Sequence, residues 1–161
     1  LNFFKKNKSY KLHAVVSGNS INIEKVNDSV FSKKLMGDGV AIIPTNGNLY
    51  APCDSEVVML FETKHAIGLR TKNGAEILIH IGINTVSMNG DGFKTFVKTG
   101  DNVKEGDLLI QFDLDKISHA NLDSTVMIVN NNGADYAYKV LNQSYGNVKK
   151  GSILFDVKGG I

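Results

Sequence analysis

The chain has 161 residues, 42% of them apolar and 21% charged, with 18 Lys+Arg against 16 Asp+Glu for a formal charge of +2. That arithmetic describes one globular domain and excludes collagen, extended disorder and a nucleic-acid binder acting through a basic face. The single cysteine, Cys53, excludes an internal disulfide and multi-cysteine zinc patterns, and it points to a reducing compartment.

In chain order, residues 1–12 read as a flexible lysine-rich lead carrying Lys5, Lys6, Lys8 and Lys11, and residues 13–161 as one domain. The lead has no secretory core, and its lysines are expected to mark a freestanding chain. No apolar run approaches the roughly 20 residues that span a bilayer, so a cytoplasmic protein without membrane insertion is expected. Sixteen glycines and two prolines separate short, branched apolar segments, which predicts an all-β fold with short helical turns. A helical turn closed by a glycine is expected over residues 30–37, then strands over 57–61, 67–71 and 76–81. Asn73-Gly74 joins the last two as a type I′ hairpin, because both residues tolerate positive φ. Further strands are expected over 108–112, 126–129 and 153–157, with a second short helix over 114–122.

The sequence also repeats itself. Asn102-Val103-Lys104-Glu105-Gly106 recurs as Asn147-Val148-Lys149-Lys150-Gly151, and a fainter echo relates residues 13–18 to 50–55. In each copy the valine can bury while lysine and glycine turn the chain, so the duplication reads as structural.

Candidate chemistry rests on histidine. Of His13, His65, His80 and His119, only His65 and His80 have informative surroundings. The alternation in Glu76-Ile77-Leu78-Ile79-His80-Ile81-Gly82-Ile83 sends the odd-numbered isoleucines into a core and His80 to the other face, with Gly82 expected to leave an opening beside it. If the hairpin pairs the flanking strands, His65 and His80 face each other with Thr63 nearby. Such a pair supports phosphoryl transfer, one imidazole attacking and the other steadying the phosphoryl oxygens, or half of a zinc site. No Walker loop, dinucleotide glycine motif or HExxH is present. Arg70 is the sole arginine, so further guanidinium chemistry must come from a partner.

At these residues the chain resembles the glucose-family enzyme IIA domain of the bacterial sugar phosphotransferase system. The likeness lies in Gly37-Asp38-Gly39-Val40-Ala41-Ile42, Phe61-Glu62-Thr63-Lys64-His65-Ala66 and Ile79-His80-Ile81-Gly82-Ile83-Asn84-Thr85-Val86, and it extends over about residues 13–157. The resemblance implies an antiparallel β-sandwich or distorted barrel with a duplicated motif, and a phosphocarrier that needs no cofactor. It implies that His80 takes a phosphoryl group from the carrier protein HPr and passes it to a cysteine on the IIB domain of a sugar permease. By the same resemblance His65 assists transfer and Thr63 bonds the pair. Asp28, Val30, Phe31, Met36, Phe61, Leu78, Asn84 and Val86 would then form the partner-docking ring, with the chain associating peripherally with the membrane permease. Asn84 stands where the family commonly has an acid, and Ser55 where it has a glycine.

Two other β-built families fit less well. A zinc peptidase would want a histidine where Gly82 stands, and a biotinyl or lipoyl carrier would want a lysine in Val86-Ser87-Met88-Asn89-Gly90. A regulatory module switched by phosphorylation of His80 is the alternative function, and a zinc ion bridging His65 and His80 to a partner carboxylate is a further reading.

Overall fold

The computed structural model describes residues 8–133 and 138–159. Among them fourteen strands form three antiparallel sheets. The largest runs in the order β13 (Gly146–Val148), β2 (Gly18–Asn22), β3 (Asp38–Pro44), β11 (Val126–Asn130), β7 (Glu76–Ile81), β6 (Ala66–Arg70), β5 (Ser55–Leu60), β9 (Asn102–Val103). Two three-stranded sheets complete the fold: β1 (Ser9–His13), β14 (Ile153–Gly159), β12 (Tyr138–Leu141), and β4 (Asn48–Tyr50), β10 (Leu108–Phe112), β8 (Phe93–Thr95). The molecule is thus a mostly antiparallel β-sandwich, and its sheets do not close into a barrel.

Alternation builds the core. Ile77, Ile79 and Ile81 of β7 are fully buried and share one apolar cluster with Leu12, Val40, Ile42, Ile67, Leu109, Val126, Ile128 and Phe155, drawn from all three sheets. A second cluster lies on the other face of the large sheet. There a 3-10 turn (Ile23–Lys25) and helix α1 (Ser29–Ser32) lay Ile23, Val26 and Phe31 over Ala41, Leu78, Met127 and Val129. Burying apolar area on both faces is the main favourable term, about 25 cal/mol per Å².

Each of the six expected strands is present within one or two residues of its expected ends. Four local expectations are corrected. The boundary at residue 12 falls inside β1, because Leu12 is fully buried and pairs with Phe155, so residues 9–12 belong to the domain; residues 1–7 lie outside the described residues. The helix expected over 30–37 is only α1, started by the Asp28 carboxylate accepting the Val30 N–H at 2.9 Å and stopped where Lys34, not the glycine, turns left-handed at φ 60°. Gly37, at φ 122°, instead leads into β3. The hairpin between β6 and β7 is not type I′. Gly74 N–H donates to the Thr71 carbonyl at 3.0 Å with only Gly74 left-handed, which makes Lys72 and Asn73 the turn centre and Gly74 the bulge. Asn73 is fully buried there, its amide donating to the Lys8 carbonyl at 2.9 Å. The last helix, α2 (Leu114–His119), is shorter than expected, and Asn121 at φ 59° ends its final turn.

The duplication is structural. Gly106 N–H donates to the Ala51 carbonyl at 2.9 Å, and Gly151 N–H to the Ala14 carbonyl at 3.0 Å. Asp54 Oδ1 caps the Glu105 N–H and Ser17 Oγ the Lys150 N–H, both at 2.9 Å. Each valine is buried and pairs with the matching strand, Val103 with Ser55 and Val148 with Gly18.

Candidate functional site: a histidine pair on the outer face of the large sheet

His80 is placed by parity. With the isoleucines of β7 committed to the core, Leu78 and His80 project to the outer face, where the register aligns Ile21, Ala41, Met127, His80 and Ala66 across five strands. A parallel row aligns Gly39, Val129, Leu78, Gly68 and Met59. The alternation stops at Gly82, where φ of +77° turns the chain, and Ile83 consequently joins the outer cluster, not the core its parity predicted. Gly82 leaves no opening. A methyl group there would run into Thr85 Cγ2 and the Asp123 carbonyl, so the glycine is needed for close packing and for its backbone angle.

His65 ends the loop between β5 and β6, entering through Lys64 at φ 62°. Its carbonyl accepts the Ile81 N–H at 2.7 Å, which ties the loop to the end of β7. The two imidazoles therefore meet, their ring centres 4.8 Å apart and their planes at 82°. Phe31 stands 5.1 Å from His80, and Phe61 5.4 Å from His65. Thr63 Oγ1 lies 2.7 Å from His65 Nδ1. His80 Nδ1 lies 2.8 Å from the Gly82 carbonyl oxygen. A carbonyl only accepts, so Nδ1 must carry the proton and Nε2 keeps the free lone pair.

Burial sets the charge state. Desolvation, reinforced by the neighbouring His65, pushes the His80 pKa down to about 4, against the Gly82 carbonyl and Asp28, which favour the cation. His65, almost fully buried, is also lowered by desolvation, with the Thr63 backbone opposing. His80 is thus more firmly neutral near pH 7 than its ordinary pKa of about 6.5 would make it. Neutral imidazole with a fixed Nδ1–H is a nucleophile through Nε2.

The residues expected around the pair divide in two. Val30, Phe61 and Val86 are exposed at 41%, 36% and 52%, and Met36 is half-buried. Phe31 and Leu78 are instead buried, at 5% each, and form the floor under the imidazole because α1 and the sheet close over them. Asn84 is exposed in a left-handed conformation at φ 61°, and Asp28 is half-buried as the cap of α1. Met59, exposed at 49% opposite Gly68, lies on the same face but was not expected. An irregularity between Val57 and Met59 shifts the register there, and simple alternation does not reveal it.

The remaining reactive groups lie elsewhere. Arg70 pairs with Glu76 at 3.0 Å, four residues along β6 from Ala66 and hence about 13 Å down the strand. Cys53 is buried, and burial pushes its thiol up to about 12. His13 Nδ1 lies against the Pro52 carbonyl at 3.1 Å. Among the described residues no group of three His, Cys, Asp or Glu side chains is arranged to hold a metal ion, so His65 and His80 would supply only part of a zinc ion's ligand set. No helix among those residues is long and apolar enough to cross a membrane.

Comparison with known proteins agrees with this geometry. Residues 10–136 match the model of the phosphoenolpyruvate-dependent sugar phosphotransferase system EIIA 1 family. A solved structure, the glucose permease IIA from Mycoplasma capricolum, is 36% identical and superposes with a TM-score of 0.83 over 97% of this chain and 99% of that one. The chain belongs to the EIIA 1 family of the phosphoenolpyruvate-dependent sugar phosphotransferase system.

Proposed function

We propose that this phosphotransferase-system component carries phosphate on His80 Nε2, taking it from phosphohistidine on HPr and passing it to a cysteine on the IIB domain of a sugar permease. The observation that carries this reading is the Nδ1–H bond to the Gly82 carbonyl at 2.8 Å, which leaves the Nε2 lone pair free beside a second imidazole. In acceptance, Nε2 attacks phosphorus as the donor's P–N bond breaks and the donor imidazole recovers its electron pair. Nδ1 keeps its proton throughout, so the carbonyl stabilises the cationic character that phosphorylation brings to the ring. In onward transfer a thiolate attacks, the P–N bond breaks and His80 returns to its neutral form.

His65 assists best when Thr63 donates to its Nδ1, since the proton then sits on Nε2 and can bond a phosphoryl oxygen. The exposed side chains Val30, Phe61 and Val86, with Met59, form an apolar collar that a partner covers, excluding the water that would hydrolyse the P–N bond. Positive charge for the transfer comes from the partner, because Arg70 is remote and engaged. We place this chemistry on the cytoplasmic side of the permease.

The same face supports a second reading, a phosphorylation switch acting on transporters or metabolic enzymes. A phosphoryl dianion set in an apolar collar would expel one partner and admit another. Incubation with phosphoenolpyruvate, enzyme I and HPr tests the main reading. One phosphate, seen by intact mass and lost in acid, is expected on the parent chain and not on His80→Gln. Labelling that persists in the variant rejects it.

A further inference from the structure

The tautomer of His80 depends on one carbonyl, and that carbonyl has to be held. The Gly82 oxygen belongs to the peptide unit whose other end is the Ile83 N–H, and this N–H donates to the Asp123 carbonyl at 2.9 Å. A peptide unit is planar and trans, so fixing its N–H fixes the opposite direction of its C=O. The preceding unit is held too, by the Gly82 N–H donating to the Thr125 carbonyl at 2.8 Å. The left-handed bend at Gly82 therefore leans on a short stretch of backbone, residues 123–125. A turn made by one side chain closes that stretch. Asp123 Oδ1 accepts the Thr125 N–H at 2.8 Å and the Thr125 hydroxyl at 2.6 Å. On the other flank Thr85 donates its hydroxyl to the Ile81 carbonyl and sets its methyl against Gly82.

We propose that Asp123 is a positioning residue for phosphoryl transfer. Its carboxylate locks the 123–125 backbone, the locked backbone aims the Gly82 carbonyl, and the carbonyl holds the proton on His80 Nδ1 so that Nε2 is free to attack. Asp123 itself is exposed and bonds neither imidazole, so it acts only through the peptide between them. The consequence for transfer rests on the phosphocarrier reading, whereas the consequence for the tautomer does not.

The test is imidazole 15N spectroscopy on the full chain without partners, followed by timed phosphoryl acceptance from phospho-HPr. The parent should show His80 with a protonated Nδ1 and an unprotonated Nε2. In Asp123→Ala the two nitrogen shifts should move toward each other as the other tautomer becomes populated, and acceptance should slow about tenfold. Asp123→Asn keeps an oxygen acceptor and should restore most of both. Thr125→Val keeps the backbone half of the turn, so it should move the shifts in the same direction by less; it also carries the test should Asp123→Ala fail to fold. Unchanged His80 nitrogen shifts in folded Asp123→Ala would overturn the proposal, as would Asp123→Asn behaving like Asp123→Ala. If the shifts move as expected but the parent accepts no phosphate, the tautomer lock stands and the phosphocarrier reading fails.

Discussion

The two Asn-Val-Lys turns and the histidine face are built on the same large sheet, but only the turns are duplicated. At the turns, equivalent residues do equivalent work: Gly106 and Gly151 dock on Ala51 and Ala14, and Asp54 and Ser17 cap the same position of the turn. The strand order itself reads symmetrically outward from the β11–β7 pair, each arm ending in a turn strand, β13 or β9. Where the arms meet, the likeness breaks, because His80 on β7 is opposed on β11 by Met127. Repetition here marks scaffold, two turns held by the same backbone and capping bonds. The candidate site lies where one copy departs from the other, as an imidazole set in an otherwise apolar row.

The sharpest test of that division is His80→Gln, which should eliminate phosphate labelling while leaving the denaturation midpoint close to the parent's; a chain that still labels would move the chemistry elsewhere. Next, His65→Gln should still accept phosphate but pass it to IIB at least about a hundredfold more slowly, read by quenched-flow transfer. Equal loss in both steps would make the pair a single unit. Gly82→Ala introduces a methyl against Thr85 and a left-handed alanine, and should cost about 1–3 kcal/mol in denaturant melts together with loss of acceptance. Gly106→Ala and Gly151→Ala, both at φ 87°, should each cost about 1–2 kcal/mol, in similar measure, with acceptance unaffected. Markedly unequal costs would break the equivalence of the two turns.

The smallest effect is the pH dependence. Burial holds the folded His80 pKa at about 4, whereas the unfolded chain takes its proton near about 6.5. Between those values the unfolded state binds more protons, so stability falls as pH drops through that window and is level above it. His65, also lowered by burial, adds a contribution of the same sign. Acceptance should stay flat from pH 8 to about 5 and decline toward pH 4 as Nε2 becomes protonated. A rate midpoint near 6.5 would show the imidazole to be solvated.

Most of this was legible where a short-range rule applied without competition. Strict alternation in β7 gave both the buried isoleucines and the outward His80, and the repeated Asn-Val-Lys-x-Gly gave two alike turns. The rule failed where a neighbour intervened. Gly82 turned Ile83 away from its predicted side, the register shift before Met59 concealed an exposed apolar side chain, and the buried Asn73 amide reached back to the Lys8 carbonyl in a turn that local propensity assigned differently.

The sequence by itself determined that the chain is all-β, that its duplication is architectural and that His65 and His80 are the candidate pair, because period-two burial and turn chemistry act over a few residues. Only the tertiary structure decided that Phe31 and Leu78 are floor and not rim, that His80 holds its proton on Nδ1, and that its pKa lies near 4. Those properties depend on how much water the folded chain removes and on which carbonyl lies within bonding distance of the ring, and neither is fixed until segments far apart in sequence are packed together.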